Sequence, residues 1–275
     1  MNKAILAASA CMLAVAAQAA DLPAKYADSG KVVAANTPNY PPMEYRDPST
    51  NVLTGLDIDL GEAIAKQLGI EIEWSEIGFE QMPAALATGR ADMILSGMSD
   101  LPERREVMDF VNYMRSGAQF YVLAGNADKF PEMTDLCGQS IGMSRRTSFP
   151  DEALKWSAEH CEGQGRPAIT IVGTEGSGDA RAQLRQGRVA AAVQGSETLP
   201  YLMQQEPDTY ALVGTPFTAV YQGMAFAKDN TDLRDAVAAA VQALIDSGEY
   251  AAIFDKYGLG EATLDAVMIN GEPLN

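Results

Sequence analysis

Residues 86–104 read LATGRADMILSGMSDLPER and contain one complete junction of an α/β sheet. A small-residue helix end and a Gly precede an apolar strand, residues 91–95, and a Ser/Gly loop and a new helix start follow it. Ligands of parallel α/β sheets bind just beyond the carboxyl ends of strands, so this loop is a candidate binding site. Arg104 falls in the first turn of the helix that residues 100–103 open. Because a helix N-terminus carries partial positive charge, a cation there indicates an anion that joins it.

The residues before this junction alternate between strand and helix patterns. Lys31–Asn36 is a short β-branched run that predicts a strand. Residues 56–68 place apolar side chains every four positions and end at Gly69, which predicts an amphipathic helix with a Gly stop. Residues 70–74 alternate as a strand, and residues 79–88 are helical. The order β-α-β-α-β predicts a parallel sheet with right-handed crossovers.

The junction is repeated later in the chain. Residues 86–99 align with LRQGRVAAAVQGSE at residues 184–197, with Gly97 opposite Gly195. Residues 140–172 also repeat the opening β-α-β order. The repeat predicts two similar lobes, with a chance similarity of two helix-Gly-strand junctions as the alternative.

Two extended segments fit a chain that crosses between such lobes and returns. Residues 118–124 (AQFYVLA) lie between the two copies, and residues 212–220 lead into a second extended segment after them. Residues 233–257 contain two helical stretches broken at Ser247-Gly248. We expect this tail to pack on the first lobe.

The N-terminus has the features of a secretory signal. Lys3 precedes an apolar run that ends at the small-residue site Ala17-Gln18-Ala19, so we expect cleavage after Ala19 and a soluble exported protein. A buried Ala-rich helix is the alternative. Two cysteines remain after cleavage, Cys137 and Cys161, and export favours a disulfide between them over two free thiols.

The composition limits the partners. A net charge of −17 disfavours nucleic acids and anionic membranes, so an anion site must be built locally. One His and two thiols do not make a metal site, and we expect neither a metal nor another cofactor.

At this point eight blocks of the chain resemble, in order, those of the family 3 extracellular solute-binding proteins, the periplasmic amino-acid receptors of ABC importers. They span nearly all of the mature chain: NYPPMEY (39–45), TGLDIDLGEAIAKQLG (54–69), ALATGRADMILSGMS (85–99), PER (102–104), LCGQSIGM (136–143), LRQGRVAAAV (184–193), YQGMAFAK (221–228) and SGEYAAIFDKYG (247–258).

The resemblance implies a two-lobed α/β periplasmic-binding-protein fold of type II, with two crossing hinge strands and a ligand cleft between the lobes. We expect a signal peptide at residues 1–19, lobe 1 at residues 20–122 and 219–275, and lobe 2 at residues 123–218. Closure of the lobes would trap the ligand. The implied partner is an ABC permease, the implied location is the periplasm, and the protein is expected to be a monomer.

The resemblance also implies the ligand contacts of lobe 1. Arg104 matches the Arg that grips the ligand carboxylate, a geometry that suits a planar guanidinium, whereas a surface Arg is the alternative. Arg105 is expected to be solvated. The other matching positions are the loop residues Ser96, Gly97 and Ser99 and the aromatic residues Tyr40 and Phe79. Ser99 could instead cap the next helix, and the aromatic residues could pack in the core. Glu44 could bind the loop instead of the ligand.

In lobe 2, SRRTSFP (residues 144–150) matches the family's turn that meets the carboxylate. Ser144, Thr147 and Ser148 are therefore candidate contacts, although Ser148 also fits a helix N-terminus. Arg145 and Arg146 depart from the family pattern; one of them could face the cleft and meet a second acidic group, or both could be solvent-exposed.

A further departure is Gly195, where the family's amino-acid receptors place an Asp that holds the ligand ammonium. Glu197 could replace that Asp only if the loop is redrawn. Desolvating an unpaired ammonium is costly, so this departure favours an amino-acid derivative or a carboxylate without a free α-amine over an ordinary amino acid.

The resulting prediction is a receptor that binds a small carboxylate-bearing solute and delivers it to an ABC importer, not an enzyme. Two alternatives stay open. One is an exported enzyme on the same fold, of the cyclohexadienyl or prephenate dehydratase type, which would need a cleft acid such as Glu44 or Glu197. The other is a sensory ligand-binding module.

Overall fold

The computed structural model describes residues 22–273, so the predicted signal peptide lies outside the described residues. The helices are α1 (Ala24–Ser29), α2 (Leu56–Leu68), α3 (Met82–Ala87), α4 (Pro102–Arg105), α5 (Phe149–His160), α6 (Ser177–Arg185), α7 (Leu199–Gln205), α8 (Thr231–Ser247) and α9 (Glu249–Lys256). The strands are β1 (Lys31–Asn36), β2 (Asn39–Tyr40), β3 (Glu44–Arg46), β4 (Leu53–Thr54), β5 (Glu71–Glu76), β6 (Met93–Ile94), β7 (Met108–Ser116), β8 (Ala118–Leu123), β9 (Ser140–Ser144), β10 (Thr170–Thr174), β11 (Ala191–Gly195), β12 (Tyr210–Val213), β13 (Val220–Ala227), β14 (Met268–Ile269) and β15 (Glu272–Pro273).

Lobe 1 is built on a seven-stranded sheet in the order β15-β14-β7-β13-β6-β1-β5. Strands β5, β1 and β6 are parallel, as predicted, whereas β13 and β7 run antiparallel to their neighbours. The apolar face of α2, with Leu60 and Ile64, packs with Val237 and Val241 of α8 in one buried core. The tail helices α8 and α9, separated at Gly248, therefore belong to this lobe, as expected.

Lobe 2 is built on a five-stranded sheet in the order β10-β9-β11-β8-β12. Strands β10, β9 and β11 are parallel, and β8 and β12 complete the sheet antiparallel. Its core contains Phe120 and Trp156, whose ring centroids are 5.0 Å apart, together with Cys161. The predicted disulfide between Cys137 and Cys161 is confirmed.

The two copies of the sequence repeat occupy equivalent places in the two sheets. In each sheet three parallel strands are followed by an antiparallel crossing strand, β13 beside β6 and β8 beside β11. The helix before each repeated strand ends at a Gly with the same left-handed backbone, Gly89 at φ 68° and Gly187 at φ 69°. Non-Gly residues rarely adopt this conformation, which explains the Gly in both copies.

The first crossing between the lobes lies at Gly117, ahead of the boundary predicted at residue 122. Strand β8 pairs with β11 and β12 and so belongs to lobe 2. The chain returns through residues 214–219 to β13. At Gly117 a Cβ atom would lie 2.1 Å from the carbonyl oxygen of Thr218, so the two crossing segments are in contact.

No single helix within residues 22–273 has both the length and the apolar composition needed to cross a membrane.

Candidate ligand-binding site

A pocket of about 490 Å³ lies between the two lobes, where the loops after β6 and β11 face each other. Both lobes and both crossing strands contribute to its wall. Nine of the predicted contact residues line it: Tyr40, Phe79, Ser96, Gly97, Ser99, Arg104, Ser144, Thr147 and Ser148. Two others, Arg145 and Gly195, are not part of the lining.

Arg104 presents its guanidinium to this pocket. Its Nη1 atom donates to the carbonyl oxygen of Ser99 at 2.8 Å, and its guanidinium carbon lies 5.9 Å from the centre of the Phe79 ring. Burial lowers the pKa of Arg104, because desolvation disfavours the charged form. Within residues 22–273 no carboxylate forms an ion pair with it. Most of its five N–H donors therefore remain available to an anion.

The helix that carries Arg104 is shorter than the sequence argument requires. Helix α4 is a single turn of four residues, Pro102–Arg105, so it has no N-terminal end distinct from its C-terminal end. The helix-dipole argument for an anion site was therefore wrong. The attraction for an anion comes from the guanidinium itself.

Arg105 has a structural role, and the prediction that it is solvated was wrong. Its Nε and Nη2 atoms donate to the two carboxylate oxygens of Asp100 at 2.5 and 2.9 Å. Asp100 is only 5% exposed and also accepts from Asn112. Two adjacent arginines thus have different partners, since Arg105 neutralises a buried acid and Arg104 faces the pocket.

Two buried carboxylates form hydrogen bonds with the loop after β6. Glu44 accepts a hydrogen bond from the Ser96 hydroxyl at 2.5 Å, and Asp57 accepts from the Gly97 N–H at 3.0 Å. Burial and the charge of Asp57 raise the pKa of Glu44 well above its ordinary value, and burial raises the pKa of Asp57 to about 6. The folded protein therefore holds the proton of Glu44 to a higher pH than an exposed glutamate does. Glu44 ties the loop, one of the two roles left open for it.

Glu197 is the most buried of the carboxyl residues that lobe 2 contributes to the pocket wall. It is 3% exposed and accepts hydrogen bonds from the Tyr40 hydroxyl at 2.8 Å, from Gln222 Nε2 at 2.7 Å and from the Ser116 hydroxyl. Burial and the Glu197 charge raise the pKa of Tyr40 well above its ordinary range, so its phenol stays a neutral donor. Three lobe 1 residues therefore converge on one acid of lobe 2.

The other lobe 2 candidates make mainly local contacts. The Thr147 hydroxyl donates to the carbonyl oxygen of Ser144 at 2.9 Å, and Ser148 occupies the N-cap position of α5 without a capping bond from its side chain. Arg145 is not part of the lining, and it bonds Glu175, which is. Arg146 lines the pocket and reaches Glu80 of lobe 1, with 2.7 Å between Nη1 and Oε1.

Two α/β lobes with duplicated strand-end loops around a polar interlobe cleft define the class of two-lobed solute receptors. The chain belongs to the bacterial extracellular solute-binding proteins, family 3, whose model matches residues 32–260.

Known relatives agree with this assignment. The arginine-binding protein ArgT of Corynebacterium glutamicum is 31% identical over 92% of this chain and 83% of its own length. The solved structure of AbpA, an amino acid ABC transporter substrate-binding protein of Streptococcus pneumoniae bound to L-arginine, is 25% identical with a TM-score of 0.73, covering 85% of this chain and 96% of its own. An ancestral amino acid-binding protein, a precursor of cyclohexadienyl dehydratase, is 26% identical with a TM-score of 0.74 over 85% of this chain and 97% of its own.

Proposed function

We propose that this protein is a periplasmic receptor that binds an L-amino acid in the interlobe pocket and delivers it to an ABC permease. The observation that carries the proposal is the half-buried guanidinium of Arg104, which faces the pocket with one backbone carbonyl as its hydrogen-bond acceptor. A ligand carboxylate can accept two charge-assisted hydrogen bonds from such a group. Ser99, Thr147 and Ser148 would complete this end of the site.

Closure of the two lobes would provide the mechanism. The lobes already touch through side chains on both sides of the pocket: Tyr40 with Glu197, Arg146 with Glu80, and the rings of Tyr45 and Tyr201, whose centroids are 5.7 Å apart. A ligand that bridges the lobes would stabilise this arrangement by its greater affinity for it. The closed form would then be the one that docks on the permease.

The charge of the wall favours a neutral or cationic ligand side chain. Six carboxyl residues and three arginines line the pocket, so acidic groups are in excess even when Glu44 is left out of the count. Arginine is therefore the first ligand to examine, in agreement with the names of the arginine-binding relatives. The signal peptide and the monomeric state remain part of this proposal.

Calorimetric titration with the twenty proteinogenic L-amino acids tests the proposal, after any retained ligand has been removed by unfolding and identified by mass spectrometry. We expect Arg104→Met to weaken binding by about 10- to 100-fold, because a charged hydrogen bond contributes about 1.5 to 3 kcal/mol. Arg188→Met is the matched control, since Arg188 is exposed and away from the pocket. Equal affinities for wild type and Arg104→Met, or no binding by any amino acid, would refute the proposal.

One observation favours a second candidate, an exported dehydratase. Glu44 is a buried acid at the pocket wall with a raised pKa, as suits a general acid, and one structural neighbour is a precursor of cyclohexadienyl dehydratase. We nevertheless propose a binding protein, because the bond from Ser96 and the position beside Asp57 assign Glu44 to the loop. Turnover of prephenate by the purified protein, abolished in Glu44→Gln, would reverse this choice.

A further inference from the structure

Helix α4, which carries Arg104, is too short to fix its own orientation. It spans four residues, and the N–H groups of Arg104 and Arg105 both donate to the carbonyl oxygen of Leu101, at 2.9 and 3.0 Å. The first turn of a helix orders more backbone angles than its hydrogen bonds compensate, so an isolated turn is unstable. Contacts with the rest of the protein must therefore determine the direction in which the Arg104 side chain points.

The ion pair between Asp100 and Arg105 is the first of these contacts. It spans the turn, because Asp100 precedes α4 and Arg105 is the last residue of α4. The two carboxylate oxygens accept from the guanidinium at 2.5 and 2.9 Å, and such a two-bond geometry fixes direction as well as distance. The backbone N–H of Asp100 donates to the carbonyl oxygen of Tyr221 at 2.8 Å, which attaches the pair to β13. Successive helical residues are about 100° apart around the helix axis, so Arg104 leaves the turn on a different side from Arg105 and reaches the pocket.

The β14–β15 hairpin extends this network. Asn112 of β7 donates from Nδ2 to Asp100 at 2.9 Å, and its Oδ1 accepts from the N–H of Gly271 at 2.7 Å. The Asn112 side chain is buried, and a carboxylate on one side and an N–H on the other leave its amide one orientation. A Cβ atom on Gly271 would lie 2.8 Å from Nη2 of Arg105, so the turn of the hairpin packs against the guanidinium. The hairpin therefore contacts both partners of the ion pair, Arg105 directly and Asp100 through Asn112.

The turn of this hairpin is itself anchored to β7. Asn270 accepts from the N–H of Phe110 at 2.8 Å through Oδ1 and donates to Asp109 at 2.9 Å through Nδ2. Asn270 and Gly271 have φ values of 53° and 78°, as the two residues of a tight hairpin turn require. The region matched by the family model, residues 32–260, does not include the hairpin. A fixed turn from outside that region thus defines the place of Arg105.

We propose that the β14–β15 turn positions the guanidinium of Arg104 for the ligand carboxylate. It acts through Asn112, Asp100 and Arg105, which hold α4 in one orientation. Neither these three residues nor Gly271 belong to the pocket wall that residues 22–273 form, so they are positioning residues and not ligand contacts. The inference rests on the proposed function, which assigns the ligand carboxylate to Arg104.

The test measures the preference for a carboxylate over a carboxamide by calorimetry, with L-arginine and L-argininamide and with L-glutamine and L-glutaminamide. The amide removes the charge that Arg104 would bind and leaves the rest of the ligand unchanged. We expect the wild type to prefer the acid at least about 10-fold in the better-bound pair. Arg105→Met should reduce this preference about 3- to 10-fold, and Arg105→Lys, which keeps the charge but lacks the planar fork, should fall between Arg105→Met and the wild type.

A double-mutant cycle separates positioning from a general structural role. If Arg105 acts through Arg104, adding Arg105→Met to Arg104→Met should change the affinity for each probe by less than about twofold. A general structural role would instead weaken the acid and the amide equally, with or without Arg104.

A substitution in the hairpin tests the far end of the network. In Gly271→Ala the new methyl group meets the free end of the flexible Arg105 side chain, so the guanidinium must move. We expect the preference for the acid to fall about 2- to 5-fold, a part of the loss in Arg105→Met. Gly248→Ala is the matched control, because Gly248 has φ 80° and a Cβ atom there would have no neighbour among residues 22–273 within 4 Å. It carries similar backbone strain and should keep the wild-type preference.

The outcomes separate this inference from the proposed function. A wild-type preference in both Arg105→Met and Gly271→Ala, with the preference lost in Arg104→Met, would overturn the inference while the proposed function stands. Equal weakening of acid and amide in Arg105→Met would overturn it in the same way. Binding of none of the four probes by the wild type, or equal binding of acid and amide, would count against both.

Discussion

Replacing Glu44 by Gln is expected to change how the stability of the protein depends on pH. The folded protein raises the pKa of Glu44 well above its ordinary 4.5, by burial first and then by the charge of Asp57. Above pH 4.5 the unfolded chain loses this proton while the folded protein keeps it. The stability of the wild type therefore falls as pH rises towards the folded pKa, by about 1.36 kcal/mol per pH unit for this group. Gln cannot titrate and removes this dependence.

The expected quantity is a difference between two proteins. Above pH 5 the free energy of unfolding of Glu44→Gln should rise relative to wild type by up to about 1.36 kcal/mol per pH unit, until the pKa of Glu44 in the folded protein is reached. The absolute cost of the substitution should be small at pH 7, because Gln has nearly the shape of the protonated acid and can still accept from Ser96. Asp57 interacts with Glu44, so the measured pH dependence belongs to the pair and not to Glu44 alone.

Urea unfolding at pH 5, 6 and 7 measures this difference. The chain has two tryptophans, Trp74 in β5 and Trp156 in α5, so fluorescence reports on both lobes, and coincidence with circular dichroism checks that unfolding is two-state. Glu159→Gln serves as the control and should follow the wild type at every pH. A stability difference between Glu44→Gln and wild type that stays constant from pH 5 to 7 would show that Glu44 is ionised in the folded protein and refute the reasoning.

Three further perturbations have defined outcomes. Replacing Cys137 and Cys161 by Ser opens a loop of sequence separation 24 and should lower the free energy of unfolding in urea by about 3.5 kcal/mol; an unchanged unfolding midpoint would contradict this. Arg146→Met removes a half-exposed ion pair with Glu80 and should speed ligand dissociation in stopped-flow by less than about fivefold; a loss above 100-fold would indicate a direct ligand contact. Gly117→Ala should lower the melting temperature by several degrees, because its Cβ meets a backbone carbonyl at 2.1 Å, and an unchanged temperature would show that the crossing segments separate freely.

The elements with a strong local signal were predictable from the sequence. Helix α2 has the predicted limits because its apolar period stops at Gly69, which takes the left-handed conformation at φ 68°. Strand β1 also has the predicted limits. The predicted strand at residues 91–95 pairs only over β6, Met93–Ile94, since pairing depends on neighbours that the local pattern does not contain.

The first lobe boundary could not be read from local pattern. Residues 118–123 are apolar and extended, and such a run fits either sheet equally well. Their hydrogen-bond partners in β11 and β12 place them in the lobe 2 sheet, and those partners follow more than sixty residues later in the chain.

At the site, the sequence predicted nine of the residues that line the pocket, although part of the reasoning was wrong. Arg104 was predicted from a helix N-terminus, but that helix is only one turn long. The different role of its neighbour Arg105 depends on the position of Asp100, which the local sequence does not reveal. The hydrogen bonds of Glu197 could not be predicted from the sequence, because its donor Tyr40 is 157 residues away in the chain. A signal was nevertheless present, since an acid follows the repeat in lobe 2 where residue 195 lacks one.

The two copies of the repeat show why the cleft has opposite polarity at its two ends. In the first copy Gly97 has φ +52° and donates its N–H to Asp57. That buried acid is therefore bonded within lobe 1, and the loop continues to Arg104. In the second copy Gly195 stays extended, and the following turn returns Glu197 to the same strand end. The same type of junction thus presents Arg104 in one lobe and Glu197 in the other. Under the proposed function, a ligand that contacts both lobes would bind the closed form more tightly, which would link its recognition to closure.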